Sequence, residues 1–350
     1  MRAARPEIPN RTALLLLVVA GGLFACRPPP FPEPDPDEEL LPVSCDDDVL
    51  LGLTRTIANS ALAHPPWIQV CTLCPVDSLS LTLVDGDANV LATQNAWADG
   101  GHCAIAMPRE PLPQESELSV LVQLSSNERS ATWSFAAEPQ AAPTTPPLEL
   151  GSGTYLAENG LSSLRLPTVS DEMEPQLPAL VAADLLLSIS QPNKDGSRSI
   201  RIGRGEEGIQ DLCALTSELS DAGLSEAGEV WGSLDQGSDF PTPFGGLLRR
   251  GSLRAQLSED GSTLQELAVL AVIDLAMMEP LTGLNPDQAC LQWREQLGSD
   301  PCVPCADPSE GNEGPAHCIT TLSEWTSAPQ VQARLQPVSS ESLSSDCPTP

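Results

Sequence analysis

Aromatic and basic side chains are scarce in this chain. Its 350 residues hold one tyrosine, five phenylalanines and six tryptophans. With so few large rings to fill a core, Trp67, Trp97, Trp133, Trp231, Trp293 and Trp325 are expected to be buried rather than arrayed on a sugar-stacking face. Lysine plus arginine total 17 against 48 acidic residues, a net charge of −31, and Lys194 is the single lysine. Such a balance repels phosphate backbones and anionic headgroups, so nucleic acid is excluded as a partner. Histidine is nearly absent as well. His64 precedes two prolines, while His102 and His317 each precede a cysteine. Nucleophilic hydrolysis needs a base beside a nucleophile. No G-x-S-x-G elbow, H-E-x-x-H pair or Walker loop occurs, so no catalytic residue and no cofactor is assigned. No apolar run reaches the roughly 20 residues of a spanning helix.

What is present begins at the N-terminus. Arg2, Arg5 and Arg11 precede an apolar run from Ala13 to Ala20, then Gly21 and Gly22, then Leu23-Phe24-Ala25-Cys26. A positive start, a short apolar stretch and a small residue before the cut describe an export signal. The Leu-x-Ala-Cys ending resembles the lipobox of bacterial lipoproteins. That resemblance implies cleavage before Cys26, acylation of Cys26 and attachment to a membrane through its lipid. Each buried acyl CH₂ contributes about 0.8 kcal/mol, so several chains on one residue hold almost permanently. Arg27 follows Cys26 where aspartate favours inner-membrane retention in such proteins, which leans towards the outer membrane of a Gram-negative cell envelope. Loss of residues 1–25 removes three arginines and Glu7, leaving 14 basic and 47 acidic residues, a net charge of −33.

Residues 26–44 read as the lipidated cysteine and a proline-rich, acidic tether. Polyproline II geometry at ~3.1 Å per residue would extend it roughly 55 Å. Residues 45–138 read as a β domain. Strand-like runs occur at Trp67–Val70, Leu79–Val84, Asn89–Thr93, Cys103–Met107, Leu118–Leu124 and Ala131–Phe135. Turn signals such as Asp85-Gly86 and Asp99-Gly100-Gly101 separate them, which suggests a sandwich. The stretch Met107-Pro108-Arg109-Glu110-Pro111-Leu112-Pro113, the strand at Leu118-Ser119-Val120 and the closing Trp133-Ser134-Phe135 resemble the end of a bacterial Ig-like domain. That family implies a spacer or binding platform and names no ligand. Residues 45–62 show no clear place in it.

A second linker spans 139–152, and a β-rich domain covers 153–280. Asp184–Ser190 with Arg198–Ile202 reads as one hairpin, and Leu253–Leu257 with Leu264–Leu275 as another. The apolar run at Leu267–Ile273 fits a strand or a buried helix; its β-branched residues favour strand. Pro286 to Leu297 reads as a helix, with proline at its start and Gly298 as a stop. It opens a Cys-rich C-terminal segment, 281–350. The expected fold class is thus mainly β: an Ig-like β-sandwich, a second β-rich domain and a small helical, Cys-rich end. The whole arrangement resembles uncharacterised lipoproteins of Gram-negative bacteria, which implies location and build but no activity.

There are 11 cysteines. Setting Cys26 aside leaves an even number, which in an exported chain points to disulfides. Cys45, Cys71, Cys74 and Cys103 form one quartet. Cys290, Cys302, Cys305 and Cys318 form another, and Cys213 and Cys347 remain as a long-range pair. Connectivity inside each quartet stays open. The sharper alternative is zinc at Cys71-x-x-Cys74 with His102-Cys103, or at Cys302-x-x-Cys305 with His317-Cys318. Export oxidises thiols, and adjacent His and Cys on a strand face opposite ways, so no metal site is assigned.

Three further motifs have plain readings. Gly203-Arg204-Gly205-Glu206-Glu207-Gly208 matches G-x-G-x-x-G, but two glutamates would face a pyrophosphate, so a glycine-rich loop after a hairpin is expected. Asp85-Gly86-Asp87-Ala88-Asn89 starts like a calcium loop but lacks its later ligands, and reads as a turn. Asp46-Asp47-Asp48 reads as a solvated charge run. The expectation is a membrane-anchored, non-catalytic structural or binding module whose envelope protein or glycan partner is unknown. The alternative is a carboxylate-based envelope hydrolase acting on glycan, because acidic pairs abound.

Overall fold

In the computed structural model, the described residues are 53–56, 67–72, 76–109, 118–126, 129–137, 152–158, 161–166, 184–194, 197–206, 208–225, 228–234, 248–279, 283–297, 301–309 and 317–339. All lie within one compact unit, 44–350. The lipobox with Cys26, the tether, Asp46–Asp48, His64, Cys45, Cys74, Cys347 and most of the 139–152 linker lie outside them.

The fold is mainly β. The first half supplies β1 (Leu53–Thr56), β2 (Ile68–Thr72), β3 (Ser78–Val84), β4 (Val90–Leu91), β5 (Thr93–Ala98), β6 (Cys103–Pro108), β7 (Leu118–Ser126) and β8 (Arg129–Ala137). They form two antiparallel four-stranded sheets in the orders β1-β2-β6-β5 and β4-β3-β7-β8. In immunoglobulin lettering these are A-B-E-D and C′-C-F-G, the strand order of an Ig-like sandwich. Alternation in Leu79-Ser80-Leu81-Thr82-Leu83 buries the three leucines between the sheets. Strand β6 has every residue buried. Its Cys-Ala-Ile-Ala-Met sequence lets small side chains on one face accept a second layer.

Two differences from the sequence reading concern this sandwich. Strand β1 pairs with β2, so residues 53–56 belong to it as its first strand. The run read as one strand over Asn89–Thr93 is split. Val90 and Leu91 pair with β3, the chain changes sheet at Ala92, and Thr93–Ala98 pair with β6. A strand that crosses between sheets leaves no single alternation to read.

The second half supplies β9 (Gly153–Ala157), β10 (Ser162–Leu166), β11 (Asp184–Ile189), β12 (Ile200–Glu206), β13 (Ile209–Gln210), β14 (Ser217–Glu218), β15 (Ser220–Leu224), β16 (Glu229–Leu234), β17 (Leu248–Leu257) and β18 (Thr263–Asp274). Helix α1 (Pro286–Leu297), β19 (Cys302–Val303) and β20 (Cys318–Val331) follow. Strands β9, β11 and β12 run on through β14/β15 to β16, β17, β18 and β20 as an antiparallel meander, and β20 returns to pair with β9. The segment around Leu219 completes the circuit. Ser217 and Glu218 pair with β12, while Ser220–Leu224 pair with β16. Between them the Leu219 amide donates to the Ile200 carbonyl at 2.8 Å. The sheet therefore curls into an eight-stranded barrel, which removes the free edges of an open sheet.

Apolar side chains fill this barrel, among them Tyr155, Leu187, Ile202, Val230, Leu253, Leu267, Val269 and Trp325. Strand β18 explains the ambiguous apolar run. Leu267, Val269 and Ala271 face the interior, whereas Ala268, Leu270 and Val272 face outward into the core shared with the sandwich. Both faces are dry, so the polar alternation that marks a half-exposed strand is missing. A bulge at Glu266, where φ is 50°, lets Leu264 and Leu267 point the same way.

The Cys-rich end is built into the barrel. Strand β20 is paired with β18 from Cys318 to Pro329, and its other side carries β19, β10 and β9 in turn. The sequence reading placed no strand there, because Ser, Thr, Glu and Pro329 dilute the apolar pattern of Cys-Ile-Thr-Thr-Leu-Ser-Glu-Trp. Helix α1 covers one end of the barrel, with Ala289, Cys290 and Trp293 against Ile273 and Ile319. Asn285 caps it: its side chain accepts from the Gln288 amide at 2.9 Å, and Gln288 accepts from the Asn285 amide at 3.2 Å. This reciprocal pair with proline at the first helical position sets the start. At the opposite end the sole tyrosine, Tyr155, donates to the Gly261 carbonyl at 2.9 Å. Burial pushes its phenol up to about 12; Arg198 pulls the other way and Asp260 adds to the rise.

Candidate functional site: the joint between sandwich and barrel

The β1-β2-β6-β5 sheet lies against the outer face of β17, β18 and β20. Ala268, Leu270, Val272 and Leu322 of the barrel share one core with Trp67, Val70, Trp97 and Ile105 of the sandwich. A polar patch adjoins that apolar contact. The register places Glu324, Ala268 and Arg254 side by side across β20, β18 and β17. Small Ala268 leaves room above it for two long side chains. The Trp67 indole donates to Glu324 Oε1 at 2.7 Å, so a sandwich ring is pinned to a barrel carboxylate. Arg254, 2% exposed, forms an ion pair with Glu229 of β16 and reaches the Pro108 carbonyl of β6 at 3.5 Å. Burial pushes the guanidinium pKa down from the ordinary arginine value. Its high intrinsic basicity keeps it charged near neutral pH, so the Glu229 carboxylate is its neutralising partner.

The second part of the joint is the segment Pro301–Pro308, wedged between the two bodies. Cys302 and Val303 pair with Ile319 and Cys318 of β20. Val303 enters the shared core, and the Leu79 amide of β3 donates to the Pro308 carbonyl at 3.0 Å. From the barrel side, Arg250 donates to the Ala306 carbonyl at 3.0 Å. Two disulfides hold this wedge, Cys290–Cys302 to α1 and Cys305–Cys318 to β20. Asp274 stands beside the second: one of its oxygens and the Cys305 and Cys318 sulfurs lie within 4.8 Å of one another. Its carboxylate also pairs with Arg249 at 2.9 Å and accepts from the Ala276 amide at 2.9 Å.

The described cysteines are all disulfide-bonded. Cys71 bonds Cys103 across neighbouring strands β2 and β6, where the two residues are direct register partners. The three described pairs therefore fall inside the two quartets. Cys213 is also bonded, to a partner outside the described residues. The two cysteines of Cys302-x-x-Cys305 have different partners, so their sulfurs do not converge on one ion. His317 turns away to Asp287 of α1 at 3.2 Å.

The remaining motifs serve the fold. Gly203 and Gly205 lie inside β12, not in a loop after it. A Cβ on Gly203 would stand 2.7 Å from a Leu335 methyl, so the glycine admits the chain segment that crosses this outer face. Asp85 caps its own turn, accepting from the Asp87 and Asn89 amides at 3.0 and 2.8 Å. Trp67 and Trp97 lie in the shared core and Trp325 inside the barrel, so these rings form no common exposed face.

Sequence reasoning missed Glu229, Arg254 and Glu324. Its one available signal was charge inside strand runs, as in Gly-Ser-Leu-Arg-Ala-Gln-Leu. An outward charge on a strand normally meets water, whereas here Glu324 meets Trp67 and Arg254 reaches Pro108 of the sandwich, and Glu229 is paired with Arg254. Searches against family models, characterised proteins and solved structures returned no match for this chain.

Proposed function

We propose that this chain is a lipid-anchored protein of the bacterial cell envelope that acts as a non-catalytic structural or binding module. The observation that carries this reading is the oxidised state of the described cysteines. Disulfides persist outside the reducing cytoplasm, and the Leu23-Phe24-Ala25-Cys26 sequence directs the chain out of that compartment. Cys26 is the anchoring residue, and the membrane is the first partner. No helix among the described residues is long and apolar enough to cross a bilayer. The ligand is an envelope protein or glycan. The buried carboxylates among the described residues favour a module over a carboxylate hydrolase. Glu229 is held by Arg254, Asp274 by Arg249 and Glu324 by Trp67.

The test is fractionation of cells expressing the full chain or its Cys26→Ser variant. Wild type is expected in the membrane fraction, and the variant is expected soluble and unprocessed at the lipobox. Equal retention of both would overturn the anchor. Turnover of an envelope glycan that vanishes on replacing one aspartate or glutamate would overturn the non-catalytic reading.

A further inference from the structure

The apolar contact of the joint encloses polar groups as well. Within it, the Trp97 indole nitrogen, Arg109 Nε, Ser252 Oγ and Thr320 Oγ1 are buried without a hydrogen-bond partner among the described residues. Ser252 and Thr320 point outward from β17 and β20, in the same cross-strand rows as Leu270 and Val272 of the shared core. Each unsatisfied group offsets part of what the apolar contact contributes. The wedge is fastened differently. Both of its covalent ties run to the barrel, and the described backbone hydrogen bond to the sandwich is the one at Leu79. Cys305 is half-buried, whereas Cys290, Cys302 and Cys318 are buried, so Cys305 is the most exposed of the four.

We propose that Cys290–Cys302 and Cys305–Cys318 form a redox-released clamp: their reduction frees the Pro301–Pro308 wedge and lets the sandwich part from the barrel, uncovering the Trp67–Glu324 and Arg254 surface. The reductant is a dithiol. Its thiolate attacks Cys305, Cys318 leaves and takes a proton, and the second thiol resolves the mixed disulfide. The dithiol ends as a disulfide and Cys305 and Cys318 as thiols; once the wedge loosens, a second dithiol attacks Cys302, Cys290 leaves and takes a proton, and that dithiol in turn ends as a disulfide with Cys290 and Cys302 as thiols.

The experiment is hydrogen exchange on the purified full-length chain, oxidised and after limited dithiol treatment, with reduced cysteines mapped by mass. The readouts are the Leu79 amide, which binds Pro308, and the Trp67 indole, which binds Glu324. Reduction of the two wedge bonds should speed both by about tenfold or more, with Val70 and Ile105 amides unchanged. The Cys290→Ser/Cys302→Ser/Cys305→Ser/Cys318→Ser variant should match without reductant, and Cys71→Ala/Cys103→Ala should stay closed. Unchanged exchange at Leu79 and Trp67 once both bonds are reduced would overturn the clamp. So would equal opening in the Cys71/Cys103 variant. Acceleration at Val70 and Ile105 to the same degree would also overturn it, since the bonds would then be supporting the fold as a whole.

Discussion

Replacing Arg254 tests how the joint is held together. Its guanidinium is 2% exposed and paired with Glu229, itself 8% exposed. Removing one partner leaves the other charge buried and alone, which costs about 3–5 kcal/mol. Replacing both with apolar groups of similar volume removes the charge and its desolvation together, a change that is neutral or stabilising in comparable cases. Arg254→Met should therefore destabilise strongly, Glu229→Leu likewise, and the double variant by much less than their sum. For a folded unit this large, 3–5 kcal/mol corresponds to a Tm decrease of about 6–20 °C. Urea denaturation followed by tryptophan fluorescence, with calorimetry alongside, gives both quantities. Trp67 lies at the same joint, so the emission of a variant that keeps Trp67 and carries phenylalanine at the other five tryptophans reports whether the sandwich detaches before the barrel unfolds. A cost under about 1 kcal/mol for Arg254→Met would refute the buried-pair argument, because it would mean that water already solvates the site. A double variant as unstable as the two singles summed would refute the coupling between the residues.

Tyr155 gives an unusually clean titration because the chain has no other tyrosine. Its raised pKa means that its contribution to stability is whole below the ordinary value near 10 and is lost as pH rises towards about 12. Absorbance at the tyrosinate band should show one transition, near that pH or coincident with unfolding; ionisation near pH 10 with the far-UV spectrum intact would contradict its burial. Tyr155→Phe should cost about 1–2 kcal/mol by urea denaturation, since the Gly261 carbonyl loses its donor. Gly251→Ala should cost about 1–3 kcal/mol, because the new Cβ would lie 2.7 Å from the Leu270 carbonyl oxygen and backbone cannot step aside; an unchanged Tm would show that β17 and β18 are less tightly paired than the structure has them.

Local chemistry was legible wherever one short stretch carries its own instructions. The leucine alternation of β3, the Pro286 start of α1, the Asp85 turn and the two flanks of the 184–206 hairpin each follow from residues within about a dozen positions. Address and cysteine chemistry were legible for a similar reason. The basic start, the apolar run and Cys26 are read in order along the chain, and an even cysteine count after Cys26 follows from composition alone.

Tertiary structure decided the rest. Strand β20 is a mixed polar segment that becomes a paired barrel strand because β18 meets it from Cys318 to Pro329. Leu219 looks ordinary in sequence, yet its neighbours close the barrel by pairing on both sides. Glu324 and Arg254 are charges on barrel strands that find Trp67 and Pro108 of the sandwich, and Cys302 and Cys305 separate to different partners only because the wedge passes between α1 and β20. The dividing line is range. Periodicity and turn chemistry record which face of an element is apolar, whereas the identity of the body that lands on that face depends on contacts more than a hundred residues apart, and no local pattern encodes them.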